Sequence, residues 1–328
     1  MPELPEVETT ARSLRPRLIG RRIRIVGGVD WPRMLPNTSE DELRGVLLGL
    51  AVTTVDRRGK YLLIGFEDDR WLALHRKMSG NVLLRPAEAA PEAHTHFEMG
   101  LDDGWLLRFV DARKFGRVYL FASRADLDAF IAARLGPEPL TELDAASLRE
   151  LLRGRRGRIK SLLLDQAFLA GVGNLYADEA LWEARVHPLR AADSLTTHEV
   201  RRLAPAIKQV LVMGIERRGT SFSNYRDADD TPGENQDHLN VYGREGQPCP
   251  RCGTMIKRIM IGMRSAHLCP RCQRLRRSKR RAVYSAAAVS TRRGASGTAS
   301  RSGTGRRPPA GTPLVATARG RRAASSRR

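Results

Sequence analysis

Acidic residues are missing from one whole end of this 328-residue sequence: none occurs between Leu275 and Arg328. The same segment holds 15 of the 57 lysine and arginine residues, and so most of the formal net charge of +21. A surplus of positive charge favours a polyanionic partner, most often nucleic acid, although a tail that only aids solubility has the same composition. The abundance of Ser, Gly and Ala predicts that residues 275–328 stay disordered when free.

Other absences exclude whole classes of protein. No apolar run approaches the roughly 18 residues of a membrane-spanning helix, so no membrane partner is expected. The first residues lack the basic and apolar regions of a signal peptide, which predicts a cytoplasmic protein, nucleoid-associated if bacterial. No P-loop, dinucleotide-binding glycine motif or Ser-His-Asp order occurs, so the sequence gives no support to the chemistries that depend on them.

Cysteine is scarce and confined to positions 249–272, where it forms the pairs Cys249–Cys252 and Cys269–Cys272. A disulfide framework would spread its cysteines more widely and would suit a secreted protein. Two close pairs in a cytoplasmic chain instead predict one zinc ion held by four thiolates. Such a site has no open coordination position, so the zinc should be structural. The residues between the pairs predict a hairpin that carries Arg264 among other basic side chains.

The first 121 residues show the patterns of one helix followed by short strands. Pro5 suits a first helical turn, and apolar residues follow at helical spacing up to position 18. Pro16 predicts that this helix stops or kinks near Arg15. From Arg22 to about Phe121, short apolar segments separated by turn signals predict an antiparallel β-sandwich or barrel.

Helical patterns follow the segment LGPEPL at 135–140, which is typical of an interdomain linker. Asp144 is predicted to cap one helix, and Thr196 with Glu199 forms a capping-box signature for another. Between them, the glycine-containing turn AGVGN at 170–174 would let the backbone approach a ligand, and the next helix N-terminus would suit a phosphate. A plain helical hairpin explains the same composition at least as well.

The opening MPELPEVETT admits two interpretations. Acids near a helix N-terminus are ordinary capping residues. Alternatively, removal of Met1 would leave Pro2 as an N-terminal secondary amine with a pKa of about 8. Its neutral form could attack a sugar C1′ and form an iminium, with Glu3 and Glu6 as acid–base and electrostatic partners. The residues alone favour the capping interpretation.

The same opening, together with the two cysteine pairs, resembles the formamidopyrimidine-DNA glycosylase family, which excises oxidised purines. The resemblance covers residues 1–273 in order and continues through RRGKYLLI, MSG, DARKFGR, LGPEPL, IKSLLLDQ, GVGNLYADEAL, VYGREG and CPRCG. It implies an α+β multidomain protein that acts on damaged double-stranded DNA, and we expect a monomer. Its parts would be an antiparallel β-sandwich with an N-terminal helix (1–134), a helix–two-turns–helix domain with a lesion loop (135–240) and a zinc finger (241–274). The tail 275–328 lies outside the resemblance.

The resemblance implies roles for individual residues. Pro2 matches the Schiff-base nucleophile, Glu3 the proton donor at the deoxyribose ring, and Glu6 a supporting acid. Lys60 matches the lysine that assists β-elimination and holds a phosphate. Arg264 matches the zinc-finger arginine that grips the lesion's phosphates and is linked with δ-elimination. Side chains that fill the gap left by the everted base correspond to Met78, Arg113 and Phe115. Other phosphate, backbone and lesion-site contacts correspond to His94, Lys114, Arg155, Arg156, Lys160 and Asn174.

Three positions depart from the family pattern, namely Arg76, Ala112 and Ser223, and they bear on base preference more than on mechanism. Leu4 favours the branch that acts on purines by glycosylase and β,δ-elimination chemistry. The alternatives are an endonuclease VIII-like enzyme for oxidised pyrimidines and, in a different class, a non-catalytic zinc-ribbon protein that binds DNA. The presence of Pro2-Glu3 and Lys60 argues against a non-catalytic protein.

Overall fold

Two four-stranded antiparallel sheets make up most of the N-terminal half. The structure is a computed structural model that describes residues 2–222 and 225–275. One sheet has the strand order β1-β6-β7-β5 and the other the order β2-β3-β4-β8. The strands are β1 (Ile23–Gly27), β2 (Val52–Arg58), β3 (Tyr61–Phe66), β4 (Trp71–His75), β5 (Asn81–Pro86), β6 (Thr95–Leu101), β7 (Trp105–Val110) and β8 (Arg117–Phe121). The predicted antiparallel sandwich is thereby confirmed.

The core of this half lies between the two sheets and is closed by the N-terminal helix α1 (Leu4–Leu18). Buried side chains such as Val7 of α1, Ile64 of β3 and Phe97 of β6 belong to one hydrophobic cluster. Because alternate side chains of a strand face opposite sides, Tyr61 and its neighbours form a second cluster on the outer face of their sheet. A helix covers that face, so few apolar side chains remain in water.

Two helices in this half escaped sequence analysis: α2 (Glu40–Leu47) and α3 (Arg124–Ala132). Each begins at a serine that accepts a hydrogen bond from a backbone N–H of the first turn. Helix α1 also runs through Pro16 to Leu18, so it does not stop near Arg15, and the alternative of a kink there stays a prediction. Pro16 lies on the exposed face of the helix, in its last turn.

The second half is a helical bundle whose predicted caps are confirmed. Its helices are α4 (Ala145–Leu152), α5 (Ile159–Leu163), α6 (Asn174–Glu183) and α7 (Thr197–Glu216). Asp144 caps α4 through the backbone N–H groups of residues 146 and 147, and Thr196 caps α7 in a capping box with Glu199. Leu4 packs into the core of this bundle rather than into the sandwich. The first helical turn of the chain therefore joins the two halves.

A two-stranded antiparallel hairpin follows, with β9 (Lys257–Ile261) and β10 (Arg264–Leu268) joined by a tight turn. The four cysteines flank this hairpin and pack, with Trp182 of α6, in a small cluster of their own. No helix in the described part of the chain is long and apolar enough to cross a membrane. The predicted disorder of the basic tail concerns residues outside the described part, apart from Leu275.

Candidate active site

A cavity of about 330 Å³ lies where the sandwich, the helical bundle and the hairpin meet. Its wall combines the start of the chain, the turn before β5, the first turn of α6 and the tip of the hairpin. Seven of the residues singled out in the sequence line it, namely Pro2, Glu3, Glu6, Met78, Arg113, Asn174 and Arg264. The structure thus brings together residues up to 262 positions apart in the chain.

The carboxylate of Glu3 occupies the N-terminus of α6. It accepts hydrogen bonds from the backbone N–H groups of Gly173 at 2.7 Å and Leu175 at 3.0 Å. A Cβ at position 173 would lie only 2.4 Å from the Glu3 carboxyl carbon, so any larger residue there would displace this carboxylate. The N-terminus of α6, which the sequence predicted to suit a phosphate, is therefore occupied by the carboxylate of Glu3.

Burial raises the pKa of Glu3 above its ordinary value, and the neighbouring Glu6 adds to the rise. The charge of Lys60 and the backbone N–H groups of α6 act in the opposite direction without cancelling it. A raised pKa keeps more of this carboxyl protonated near neutral pH, as a proton donor requires.

Glu6 connects three elements around the cavity. Its carboxylate accepts from the backbone N–H of Glu3 at 2.8 Å, from the Tyr176 hydroxyl at 2.9 Å and from the backbone N–H of Thr220 at 2.8 Å. These bonds join α1 to α6 and to the segment after α7. Glu6 is fully committed to these contacts and lies at the cavity mainly as a support for Glu3.

Lys60 lies in the two-residue turn between β2 and β3, where Gly59 adopts a φ of +56°. Glu138 holds this turn, because its carboxylate accepts from Arg57 at 2.9 Å, Arg58 at 2.9 Å and the backbone N–H of Gly59 at 3.1 Å. Glu138 belongs to LGPEPL. That segment is therefore more than a linker: it anchors the turn that carries the lysine.

The side chain of Lys60 is buried beside the acids of α1. Burial lowers the pKa of Lys60, with a smaller effect of the same sign from Arg264, while Glu3 and Glu6 oppose the change. Lysine with a lowered pKa carries a larger fraction of free amine near neutral pH, which suits a group that takes a proton.

The three predicted gap-filling side chains project from two adjoining turns. The Asp111 carboxylate accepts from the Ser79 hydroxyl at 2.5 Å and from the backbone N–H of Phe115 at 2.8 Å, and so ties the turns together. Met78 is 41% exposed and Phe115 45% exposed, which is unusual for large apolar residues. The Arg113 guanidinium lies 5.1 Å from the centre of the Phe115 ring. An exposed apolar pair beside a cavity fits insertion into a base stack.

The DNA contact that the resemblance implied for Lys160 stays a prediction, and the structure places this residue away from the exposed surface. Its side chain is fully buried and its Nζ donates to Asp178 Oδ1 at 2.6 Å and to the backbone carbonyl of Ser265 at 2.6 Å. Asp178 also accepts from the backbone N–H of His267 at 2.9 Å. Lys160 therefore secures β10, and with it the adjoining Arg264, to the helical bundle.

The remaining predicted contacts differ in their exposure. Four of them are exposed on the surface, namely His94, Lys114, Arg155 and Arg156. Lys114 forms an ion pair with Asp30 at 3.0 Å, and a phosphate could replace that exposed partner at little cost. Asn174 is the first residue of α6 and lines the cavity, while Gly173 serves as the N-cap.

The four cysteine sulfurs fit a zinc ion. All four Sγ atoms lie within 4.8 Å of one another, which agrees with tetrahedral coordination at a Zn–S distance of about 2.3 Å. The cluster is docked on α6 through Arg251, whose guanidinium donates to the Trp182 carbonyl at 2.7 Å and stacks 3.6 Å from the Trp182 ring centre. The zinc holds together a module too small to have a core of its own.

Of the three departures from the family pattern, Arg76 is buried behind the cavity, Ala112 is exposed, and Ser223 lies outside the described residues. Sequence reasoning missed three acids that position the site: Asp111, Glu138 and Asp178. Each lies inside a quoted motif (DARKFGR, LGPEPL and GVGNLYADEAL), so the motifs held the signal, but nothing in them tells a positioning acid from a solvated one.

The fold and the site together define the class: a zinc-containing DNA glycosylase with its cavity between a sandwich and a helix–two-turns–helix bundle. Three family models match the chain: the formamidopyrimidine-DNA glycosylase N-terminal domain over residues 1–118, the corresponding helix–two-turns–helix domain over 135–226, and the zinc finger found in FPG and IleRS over 246–275. The chain belongs to the formamidopyrimidine-DNA glycosylase family.

Similar proteins support this at the level of sequence and fold. The formamidopyrimidine-DNA glycosylases of Roseiflexus sp. and Chloroflexus aurantiacus are 48% and 47% identical to this chain, over 84% and 83% of it and 100% and 98% of their own lengths. A Lactococcus lactis FPG mutant bound to Fapy-dG DNA has a TM-score of 0.78 at 37% identity. A MutM bound to DNA with carbocyclic 8-oxo-G has a TM-score of 0.77 at 37% identity. Each of these two matches covers 84% of this chain and 100% of the solved chain.

Proposed function

We propose that this protein removes oxidised purines, 8-oxoguanine and formamidopyrimidines, from double-stranded DNA and then cleaves the abasic strand. The observation that carries the proposal is the position of Pro2 in the same cavity as Glu3, a buried acid with a raised pKa. Relatives of the same fold were solved with DNA that contains Fapy-dG or carbocyclic 8-oxo-G. We further propose that it acts as a monomer in the cytoplasm, associated with the nucleoid if bacterial.

The chemistry needs a nucleophile, Pro2, and side chains that transfer protons, Glu3 and Lys60. After removal of Met1, the neutral Pro2 amine attacks C1′ of the everted nucleotide, and the damaged base leaves. Protonated Glu3 donates to the deoxyribose ring oxygen, so the sugar opens to an iminium on Pro2. Loss of a C2′ proton then expels the 3′ phosphate, assisted by Lys60, and a second elimination expels the 5′ phosphate.

The other residues prepare the substrate. Arg264 at the hairpin tip is placed to hold phosphates beside the lesion, and Met78, Arg113 and Phe115 to fill the gap in the stack. Everting a nucleotide costs a few kcal/mol, which these inserted side chains partly offset. We propose the same division of the chain as above: catalysis in 1–134, DNA binding in 135–240, the zinc finger in 241–274 and a basic tail in 275–328.

Borohydride reduction on abasic-site DNA tests the Pro2 assignment. The wild-type protein should become covalently attached to DNA, and Pro2→Gly should sharply reduce that trapping. Pro5→Ala is the matched control, because Pro5 lies in the first turn of α1 but does not line the cavity. Undiminished trapping by a variant with an uncleaved N-terminal extension would overturn the assignment.

A further inference from the structure

Arg76 is a buried cation that has no part in the chemistry described so far. It follows β4 directly, in the turn that leads to Met78, and is only 1% exposed. Arginine is almost always exposed unless it is paired, because taking its charge out of water is costly. The residues that satisfy Arg76 therefore indicate what it is for.

The guanidinium of Arg76 donates hydrogen bonds to neutral oxygen atoms of three separate segments. Nε donates to the Gly80 carbonyl at 2.8 Å, and Nη1 to the Thr10 hydroxyl at 2.7 Å. Nη2 donates to the Asn81 side-chain oxygen at 2.6 Å and to the Arg226 carbonyl at 3.3 Å. One side chain thus joins α1, the start of β5 and the segment that follows residue 224.

The same guanidinium lies 5.1 Å from the centre of the Tyr225 ring. The Tyr225 hydroxyl donates in turn to the Glu6 carbonyl at 3.2 Å. Three of the groups that Arg76 contacts, namely Gly80, Asn81 and Tyr225, line the cavity, while Arg76 itself lies behind them. Its contacts therefore determine how these wall residues face the cavity.

No other side chain could satisfy all these acceptors. The guanidinium presents its donors in a rigid planar fork, whereas a lysine ammonium is a single compact donor group that cannot reach three segments at once. A leucine would leave the Asn81 and Thr10 oxygens without this donor. The nearest acids, Glu6 and Asp227, favour its charge without forming an ion pair with it.

We propose that Arg76 is a positioning residue that fixes the wall of the base pocket, so that excision of a damaged base depends on it more than cleavage of an abasic site does. This rests on the proposed glycosylase and lyase function. The reason is steric: a base must be held against Asn81 and Tyr225 during excision, whereas an abasic site places no base there. Displacement of a pocket wall by about 1 Å can slow a reaction about 100-fold.

Single-turnover rates of the full chain test this with two duplexes, one that contains 8-oxoguanine and one that contains a preformed abasic site. Arg76→Leu should lower the ratio of excision to abasic cleavage about 10- to 100-fold. Arg76→Lys should recover part of the ratio. Arg108→Leu is the matched control: Arg108 is equally buried in the same sandwich, but its partners Glu98, Glu92 and Ala89 lie away from the cavity.

Each outcome supports the proposal or overturns it. If Arg76→Leu fails to fold, Thr10→Val removes one acceptor without touching the cavity and should lower the ratio in the same direction. An unchanged ratio in the folded Arg76 variants, or an equal fall in Arg108→Leu, overturns the positioning role. Failure of the proposed function looks different, because the wild-type protein would then neither excise the base nor be trapped on abasic DNA by borohydride.

Discussion

Lys60 and Lys160 are both buried lysines, and burial lowers the pKa of each, yet their surroundings differ. Lys160 has two close acceptors, Asp178 and the carbonyl of Ser265. Lys60 makes no hydrogen bond within residues 2–222 and 225–275, and the charges that act on it are those of Glu3, Glu6 and, in the opposite sense, Arg264. A buried lysine whose donors are satisfied suits a structural role, whereas one that makes no hydrogen bond in the described residues has its amine available, as the role predicted for Lys60 requires.

The difference originates in the elements that carry the two lysines. Lys60 projects from a tight β-turn that Glu138 holds from behind, so its side chain can face the acids of α1. Lys160 lies in α5, directly between α6 and the zinc-binding hairpin. The comparison teaches that residue type and burial alone do not identify a catalytic lysine. The hydrogen bonds of the Nζ atom distinguish these two lysines.

The largest effect is expected from loss of the zinc ion, because it would unfold the hairpin that Lys160 contacts. Elemental analysis should find one zinc per chain, and Cys249→Ser should abolish the metal and DNA binding together. Metal contributes about 10 kcal/mol to the folding of zinc-finger peptides, and an isolated two-stranded hairpin is marginal without such help. Lys60 and Glu3 would remain in place. Full affinity for abasic DNA in metal-free protein, measured by fluorescence anisotropy, would contradict this.

The next largest effects are expected when each of the two lysines is replaced by methionine. Lys60→Met should slow abasic-site cleavage by about 10²- to 10⁴-fold, the usual contribution of an acid–base group, with no fall in Tm. Lys160→Met should instead lower the free energy of unfolding by about 3–5 kcal/mol, because it leaves the Asp178 charge buried and unpaired.

Thermal unfolding and single-turnover cleavage separate the two effects. The double variant Lys160→Met with Asp178→Leu should regain part of the lost stability, because no uncompensated charge remains. The comparison fails if Lys160→Met impairs cleavage while unfolding at the wild-type temperature, or if Lys60→Met mainly destabilises the fold.

A smaller effect should follow from the exposed side chains at the cavity rim. Replacement of Met78, Arg113 and Phe115 together by alanine should impair excision from duplex DNA about 10-fold or more, since a few kcal/mol of unstacking would go uncompensated. Cleavage of a preformed abasic site should change much less, because no base has to be everted. Equal losses on both substrates would count against a gap-filling role.

The pKa changes of Glu3 and Lys60 predict opposite pH dependences for excision and for abasic-site cleavage. Burial raises the pKa of Glu3 above its ordinary 4.5, so excision should fall as pH rises through that higher value. Burial lowers the pKa of Lys60 below 10.5, so cleavage should rise as pH rises through that lower value. Glu3→Gln should remove the fall of the excision rate with rising pH.

Glu8→Gln is the control for that profile. Glu8 lies on the same helix, but its neighbours Arg12, Arg57 and Arg15 hold its pKa below its ordinary value against the effect of burial, and it does not line the cavity. The raised pKa of Glu3 also makes the free energy of unfolding depend on pH. The contribution of Glu3 to that free energy is complete below pH 4.5 and is lost as pH rises through the pKa of the folded state. A profile unchanged in Glu3→Gln would remove Glu3 from the proton-donor role.

The smallest effect on catalysis should come from the basic tail, which holds none of the candidate catalytic residues. Removal of residues 275–328 should weaken non-specific DNA binding and flatten the log–log salt dependence by roughly 3–8 units, at about 0.9 per phosphate neutralised. Single-turnover rates at saturation should hardly change, because the reacting groups all lie earlier in the chain. Unchanged affinity and slope across a salt series would show that the tail does not contact DNA.

Much of the fold could be predicted because its signals are local. The capping box of Thr196 and Glu199 depends on residues three positions apart, and the paired cysteines show their ligand spacing directly. The β-sandwich follows from alternating apolar residues and turn signals. Helices α2 and α3 were missed because their short amphipathic stretches lie next to strands, where helix and strand patterns are hard to separate.

By itself, the sequence determined the order of the three regions, the zinc ligands and, through its resemblance to a family, the identity of Pro2, Glu3 and Lys60 as candidates. Only the tertiary structure decided which charges are satisfied. Asp178 lies 18 residues from Lys160, and Glu138 lies 78 residues from Lys60. Those separations carry no pattern in one dimension. Desolvation and hydrogen bonding depend on the neighbours that folding brings together, so only they distinguish the hydrogen-bonded Lys160 from Lys60, for which we predict the catalytic role.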